Sequence, residues 1–217
     1  MIRVMCSGRV DLEFVFRAFL NGMDGVFIGG CKFDECNYVT HGNYDAYALT
    51  QLGKKLLSTI GLDPQRLRAD FLSGADGHLL ADYSNQFSET VKALGPLGVG
   101  EGLSPEMLKI KLAAVRQLVP YLRLAERERL RVPVKSKEAY AAYFEQDDID
   151  ALMDEIVVDK LAVSQILLLL REKPLSTTDI SATLAMKPSD VSKHIKRSAK
   201  HGMVWYDAAS KCYMLAG

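Results

Sequence analysis

The sequence predicts an α/β fold: a small open parallel sheet with flanking helices, followed by a helical arm and a C-terminal winged helix-turn-helix domain. Three observations predict it. Strand and helix signals alternate through residue 95, as in a parallel sheet covered by helices. A glycine-rich stretch, Gly95 to Gly102, then interrupts the pattern. After residue 148 three helical segments precede a short hairpin, the order of a winged helix. The expected units are 1–98 (α/β), 99–147 (helical arm) and 148–217 (winged helix).

Taken in order, Ile2-Arg3-Val4-Met5 reads as a first strand and Ser7-Gly8-Arg9 as the turn after it. Asp11 can cap the next helix, where Phe14, Val15, Ala18 and Phe19 recur at helical spacing. Asp24 to Gly30 reads as a buried second strand between glycines, and a polar loop carries Cys31 to Asn43. Tyr44 to Ile60 is helical and ends at Gly61, Leu67 to Leu72 is a third strand, and Gly77 to Leu94 is the helix that closes the unit.

Beyond the glycines, Ser104 is placed as N-cap and Pro105 as first residue of a long amphipathic helix. Arg116 to Glu138, rich in Arg, Lys and Glu, reads as a solvated helix and linker or an arm laid against a partner. Ile149 to Leu170 is helical with an apolar second half. Ser176 to Asp179 opens a helix through Leu184, and Pro188 opens another through Lys200. Met203 to Tyr206 and Lys211 to Leu215 form a hairpin around Asp207 to Ser210.

Hydrophobic residues make up 48% of the chain, enough for real cores, and 27 basic residues balance 27 acidic ones. That balance argues against a protein that coats nucleic acid or anionic membrane with its whole surface. No secretory apolar region opens the chain, and the apolar run Ile166 to Leu170 is far shorter than the roughly 20 residues of a spanning helix. A cytoplasmic protein with no membrane span is the expectation. In that compartment four cysteines point to metal or redox chemistry more readily than to structural disulfides.

Three of the four fall within the first 36 residues. Cys6 follows the first strand signal, Cys31 follows the second, and Cys36 lies in the same loop. Loops at the carboxyl ends of parallel strands line one sheet edge and form binding sites there. The spacing C-x24-C-x4-C fits no zinc-finger pattern, where paired cysteines are closer. Soft thiolates gathered in one place suit an iron–sulfur cluster, which normally takes four. Cys6, Cys31 and Cys36 are therefore the candidate metal and cofactor ligands. Gly8, Gly29 and Gly30 would let backbone amides approach a cluster and donate to its sulfurs. The same cysteines also read as core residues with no chemical role, since cysteine is often buried. Cys212, in the hairpin, is expected to be structural.

Arg3-Val4-Met5-Cys6-Ser7-Gly8-Arg9-Val10-Asp11, Asp24-Gly25-Val26, Gly30-Cys31, Cys36 with Tyr38, and Gly42-Asn43-Tyr44 resemble the methyl-viologen-reducing hydrogenase delta subunit family. Arg66-Leu67, Ser73 and Leu94-Gly95-Pro96 extend the resemblance to about residue 98, and the arm and winged helix are similar to the extension of longer members. The resemblance implies a [2Fe-2S] cluster. It implies electron relay between a hydrogenase, formate dehydrogenase, acyl-CoA reductase or similar donor and a heterodisulfide-reductase-A-like flavin/iron–sulfur subunit, one able to bifurcate electrons in anaerobic metabolism. Two departures matter. The family segment Gly-Cys-His-x-Gly-Asp-Cys-His-Tyr reads here Gly30-Cys31-Lys32-Phe33-Asp34-Glu35-Cys36-Asn37-Tyr38. Both histidines are lost and both cysteines stay, so the cluster's surroundings should differ. Family members also carry an upstream Cys-Cys-x-x-Cys strand, so a fourth ligand is expected from residues upstream or from a partner chain, the remaining alternative being loss of the cluster.

The alternative is a redox- or metal-responsive winged-helix transcription regulator. Lys193, His194, Lys196, Arg197 and Lys200 would form a basic face on its third helix. Such folds also serve as protein-docking modules and the chain is neutral overall, so nucleic acid is not the expected partner. His41 and His78 have no evident carboxylate partner and read as loop residues. No Gly-x-Gly-x-x-Gly or Gly-Lys-Ser/Thr pattern follows Cys6, so nucleotide binding is not expected. Arg9 and Lys32, beside the candidate ligands, are placed to tune a potential or meet an acidic partner.

Overall fold

The computed structural model describes residues 1–216. Its first part comprises α1 (Leu12–Leu20), β1 (Val26–Cys31), α2 (Asn43–Ile60), β2 (Leu67–Leu72) and α3 (Gly77–Leu94). Asp11 caps α1 by accepting the Glu13 amide at 2.8 Å, and Gly61 ends α2 in the left-handed region, as the sequence predicts. β1 and β2 pair in parallel, from Val26 opposite Leu67 to Cys31 opposite Leu72. Side chains alternate across this sheet. Ile28 and Leu67 enter the core with α1 and α2, whereas Phe27 meets Phe87 of α3 on the other face at 5.7 Å between ring centroids.

The expected first strand does not form. Ile2 to Met5 belong to no strand and make no backbone hydrogen bond among the described residues. Met5 is 96% exposed and Ile2 91%. Strand propensity cannot hold an extended segment without a neighbour to satisfy its amides and carbonyls. The parallel sheet consequently has two strands.

α4 (Pro105–Arg129), α5 (Lys137–Phe144) and α6 (Asp147–Glu172) come next. Ser104 caps α4 by accepting the Met107 amide, with Pro105 first in the helix. The stretch from Arg116 is not the solvated arm its charge suggests. Val119, Leu122 and Ala125 of α4 join Leu12, Phe16 and Phe19 of α1, Leu52 and Leu56 of α2, and Ile156 and Leu161 of α6 in one hydrophobic core. That core runs across residues 98 and 147. Outward-facing charges hide an apolar stripe at helical spacing, and some bind back: Arg123 pairs with Asp11 at 2.6 Å and Arg116 with Glu13 at 2.6 Å.

Glu126 lies on the buried side of α4, and burial first, then the Asp45 and Asp11 carboxylates, push its pKa up to about 7, with Arg127 opposing. A carboxyl whose pKa is raised on folding contributes stability below its ordinary range, and that contribution is lost as pH rises toward 7. Glu126→Gln is therefore expected to raise the urea midpoint at pH 8 and to leave it unchanged at pH 4. An equal midpoint at pH 8 would show that Glu126 ionises freely in the folded chain.

The second half of α6 starts the C-terminal unit with α7 (Thr177–Leu184), α8 (Pro188–Lys200), β3 (Val204–Asp207) and β4 (Cys212–Leu215). Ser176 and Asp179 form a reciprocal capping box at the start of α7. β3 and β4 pair antiparallel, and Leu175 bridges to Tyr213, adding a third short strand segment. Ile166, Leu170, Ile180, Val191, Ile195 and Val204 fill a separate core. This is the winged helix-turn-helix the sequence predicts, with α6 shared between the two cores. Among the described residues, no helix is long and apolar enough to cross a membrane.

Candidate functional site

Three short segments meet at the carboxyl end of β1, and each brings a cysteine or makes room for one. Cys6 precedes a single 3-10 turn, Ser7–Arg9, closed by the Arg9 amide on the Cys6 carbonyl at 2.9 Å. Cys31 is the last residue of β1 and is exposed. A turn closed by the Glu35 amide on the Lys32 carbonyl, with Asp34 in the left-handed region, then reverses the chain to Cys36. Phe33 anchors this turn. It is buried, with its ring 4.7 Å from that of Phe71 and 5.1 Å from that of Tyr44.

The third segment is Gly42-Asn43 at the start of α2. Gly42 has φ +58°, and a Cβ there would lie 2.5 Å from the Cys36 sulfur and 3.4 Å from the Cys6 sulfur. Only glycine leaves space for both thiols beside the backbone. Gly8 makes the matching approach, since a Cβ on it would strike Gly42 at 2.8 Å. Asn43, fully buried, donates through Nδ2 to the carbonyls of Cys31 at 3.0 Å and Lys32 at 2.9 Å. That pair of bonds ties the cysteine loop to the helix start. The start of α2 thus lies beside the Cys36 and Cys6 sulfurs.

The sequence-predicted residues Cys6, Cys31 and Cys36 come together here, and Cys212 stays on the wing strand β4. Burial raises the pKa of the Cys31 thiol, and the neighbouring Cys36 and Cys6 thiols raise it further. Among the described residues, no group of three or more His, Cys, Asp or Glu side chains is posed to hold a metal ion. Of the adjacent basic residues, Arg9 is exposed and Lys32 pairs with Glu35 at 3.6 Å. The His41 ring meets the Thr40 hydroxyl through Nδ1 at 2.8 Å.

Sequence reasoning missed the support behind the thiols. Tyr44 donates its hydroxyl to the Lys135 carbonyl at 2.9 Å, and its ring lies 4.8 Å from Tyr140 of α5. Phe33, Tyr44, Val132 and Tyr140 form one small core. Residues 130–144 therefore brace the cysteine loop, across a sequence separation that no local pattern signals. The one local hint was Asn43, a polar residue directly after the glycine that opens an apolar helix.

A second surface lies on α8. Ser189, Lys193, Lys196, Arg197 and Lys200 are exposed along it, and Trp205 and Tyr206 are exposed on the wing. Residues 162–216 hold eight basic and four acidic residues, so the neutral total conceals a basic unit. Asp159 of α6 offsets part of this charge, lying 3.3 Å from Arg197 and 4.0 Å from Lys193. His194, expected on the basic face, is instead buried, and burial lowers its pKa.

Comparison with known proteins matches the two units separately. Residues 1–95 match the family described as methyl-viologen-reducing hydrogenase, delta subunit, and residues 162–204 match the bacterial regulatory protein, arsR family. The D-type iron-sulfur subunit of the F420-non-reducing hydrogenase of Archaeoglobus profundus is 43% identical over 96 residues, covering 44% of this chain and 69% of that protein. The corresponding vhu protein of Methanococcus maripaludis is 39% identical over 95 residues, covering 44% of this chain and 70% of that protein. The A-type subunit of the ferredoxin/F(420)H(2)-dependent CoB-CoM heterodisulfide reductase of Methanosarcina acetivorans is 44% identical over 98 residues. That match covers 45% of this chain and only 12% of the reductase protein, so the shared part is a small module of a much longer polypeptide.

Proposed function

We propose, from the premise that this chain belongs to the methyl-viologen-reducing hydrogenase delta subunit family, that it is the iron–sulfur electron-transfer subunit of a cytoplasmic oxidoreductase complex of anaerobic metabolism. In this reading it relays electrons to or from a heterodisulfide-reductase-A-like flavin subunit, one that can bifurcate them, with hydrogenase, formate dehydrogenase or acyl-CoA reductase subunits as further partners. The observation that carries the reading is the approach of the Cys6 and Cys36 sulfurs to Gly42, with the Cys31 thiol beside them.

The donor set fits a [2Fe-2S] cluster. Its thiolates are soft, and its ligands are divided between two irons, so three thiols need not surround one ion. Cys6, Cys31 and Cys36 would hold the cluster, and a fourth thiolate would come from outside these residues. When bound, such a cluster accepts and releases single electrons. The chain's own residues prepare the place for it. Gly42 and Gly8 keep side chains out of the corner, and Asn43 fixes the Cys31 carbonyl. The bracing of Phe33 and Tyr44 against residues 130–144 limits reorganisation of the loop. Cys31, exposed at the end of β1, would hold such a cluster near the surface, within reach of a partner's centre.

Anaerobic co-purification with the flavin subunit, followed by visible and EPR spectroscopy, tests the proposal. A brown complex with a reducible rhombic signal is expected, and a colourless, iron-free complex would overturn the assignment.

A second reading, nucleic-acid binding through α8, is favoured by the basic face and by the match of residues 162–204 to a regulator family. It requires a salt-dependent gel shift that Lys196→Ala and Lys200→Ala weaken for every DNA sequence tried. A chain that leaves DNA unshifted at low salt and still co-purifies with the flavoprotein would leave the electron-transfer reading alone.

A further inference from the structure

The basic face of α8 meets a counter-ion from its own chain. Ser189, Ser192, Lys193, Lys196, Arg197 and Lys200 line one open concavity. Asp159 reaches this face from α6, its carboxylate 3.3 Å from the Arg197 guanidinium and 4.0 Å from the Lys193 ammonium. The buried ring of His194 lies 3.9 Å from the same carboxylate through Nε2. Lys196 and Lys200 meet no carboxylate within ion-pair distance among the described residues. The face therefore presents two kinds of cation, a pair shared with Asp159 and a pair left to solvent.

The shared pair is weakly held. The Asp159 side chain is 41% exposed and that of Arg197 55%, so this is a surface contact for which an incoming anion can compete. A carboxylate set before a guanidinium and an ammonium takes the place of a phosphate oxygen against the same two donors. Lys193, Lys196, Arg197 and Lys200 recur at i, i+3, i+4 and i+7, so all four follow one side of the helix. The major groove of B-DNA admits such a helix between two rows of phosphates. Residues at the N-terminus of a groove-bound helix are the ones that reach base edges. There α8 offers only Ser189, Asp190 and Ser192, and its long cations come later. Contacts of those cations with phosphates position a protein and carry no sequence information.

We propose that α8 binds the phosphate backbone of duplex DNA without regard to sequence, and that Asp159 holds this binding weak by competing with phosphate for Lys193 and Arg197. The inference rests on the nucleic-acid reading above. It assigns Lys196 and Lys200 as the cations that neutralise phosphate in the native chain, and Lys193 and Arg197 as cations that join them once the Asp159 charge is removed.

The test measures binding of the full chain to several unrelated DNA duplexes over a salt series. The logarithm of affinity falls against the logarithm of salt by about 0.9 for each phosphate neutralised, so the native chain should show a slope of about 2. Asp159→Asn, with its thermal midpoint unchanged, should steepen the slope to about 3.5 and bind every duplex at least about fivefold more tightly at low salt. Asp159→Ser should match it, which ties the effect to the lost charge. Native affinity and slope in both variants, with Lys196→Ala and Lys200→Ala still weakening binding, overturn the role of Asp159 and leave the nucleic-acid reading standing. Weaker binding with a lowered thermal midpoint marks Asp159 as a structural tie between α6 and α8 and overturns it too. Strong preference for one duplex overturns the sequence independence. If neither the native chain nor the variants bind DNA at low salt, both the inference and the nucleic-acid reading fail. Loss of the flavin subunit from Lys196→Ala in that case marks α8 as a protein-docking face.

Discussion

If the proposed cluster is bound, replacing Cys31 with alanine is expected to leave the chain folded and to abolish the visible absorbance and EPR signal of the complex. The expectation of an intact fold comes from exposure: the Cys31 side chain ends β1 at the surface and belongs to none of the hydrophobic cores. Its loss creates no cavity of the kind that makes core truncations costly. The expected loss of the cluster comes from ligand count, since Cys6, Cys36 and one outside thiolate fall short of the four a cluster normally takes. Iron per chain, measured beside far-ultraviolet circular dichroism, separates the two effects. Cys212→Ala is the control, for that thiol lies on the wing and should leave the iron content unchanged. If Cys31→Ala retained iron at the wild-type level, the ligand assignment would fail.

The second large effect is on stability and concerns Arg66, which is completely buried. Its Nε donates to Glu101 Oε1 at 2.6 Å and its Nη2 to Glu101 Oε2 at 3.0 Å. Its Nη1 donates to the carbonyls of Asp24 and Gly95, both at 3.0 Å. Glu101 also accepts the amides of Asp63 at 3.2 Å and Gly98 at 3.1 Å. Burial alone would raise the Glu101 pKa, but the Arg66 guanidinium and the amides of Asp63 and Glu101 itself hold it below the usual carboxylate range. One guanidinium thus fastens the glycine-rich stretch after α3 to the strand that α3 follows. Glu101→Ala would leave Arg66 a buried charge without its counter-ion, at a cost of about 3–5 kcal/mol. Arg66→Ala should cost as much, because the Asp24 and Gly95 carbonyls lose their donor as well. Urea denaturation reads both. A change within about 1 kcal/mol, the range of an exposed pair, would show that the network contributes little.

The glycine-rich stretch shows how a sequence signal can be read correctly and incompletely. Gly95 to Gly102 marks a break in secondary structure, and the structure has one there. The same residues are also held by Arg66, which joins the start of β2 to the approach to α4. Composition reveals a turn; it does not reveal that a residue some thirty positions earlier holds that turn. The charged stretch from Arg116 misleads for a related reason. Charge dominates its average polarity, while its apolar residues recur at helical spacing and bury one face.

Local rules determined much of this protein. Caps, glycine stops and period placed α1, α2, α4, α7 and α8 and the terminal hairpin, because such signals act within one turn of chain. The cysteines and their spacing singled out the candidate site, because thiolate chemistry belongs to the residue type. Tertiary structure decided what depends on partners distant in sequence. Ile2 to Met5 has strand propensity, and the absence of a paired neighbour leaves it unpaired and exposed. Gly42 makes space for two thiols only because residues 6, 36 and 42 meet. The bracing of the cysteine loop by Tyr140 exists only once α5 packs on α2. Propensity and capping energies are local, whereas pairing and packing are shared between segments, so the sequence names the thiols and only the fold makes them a site.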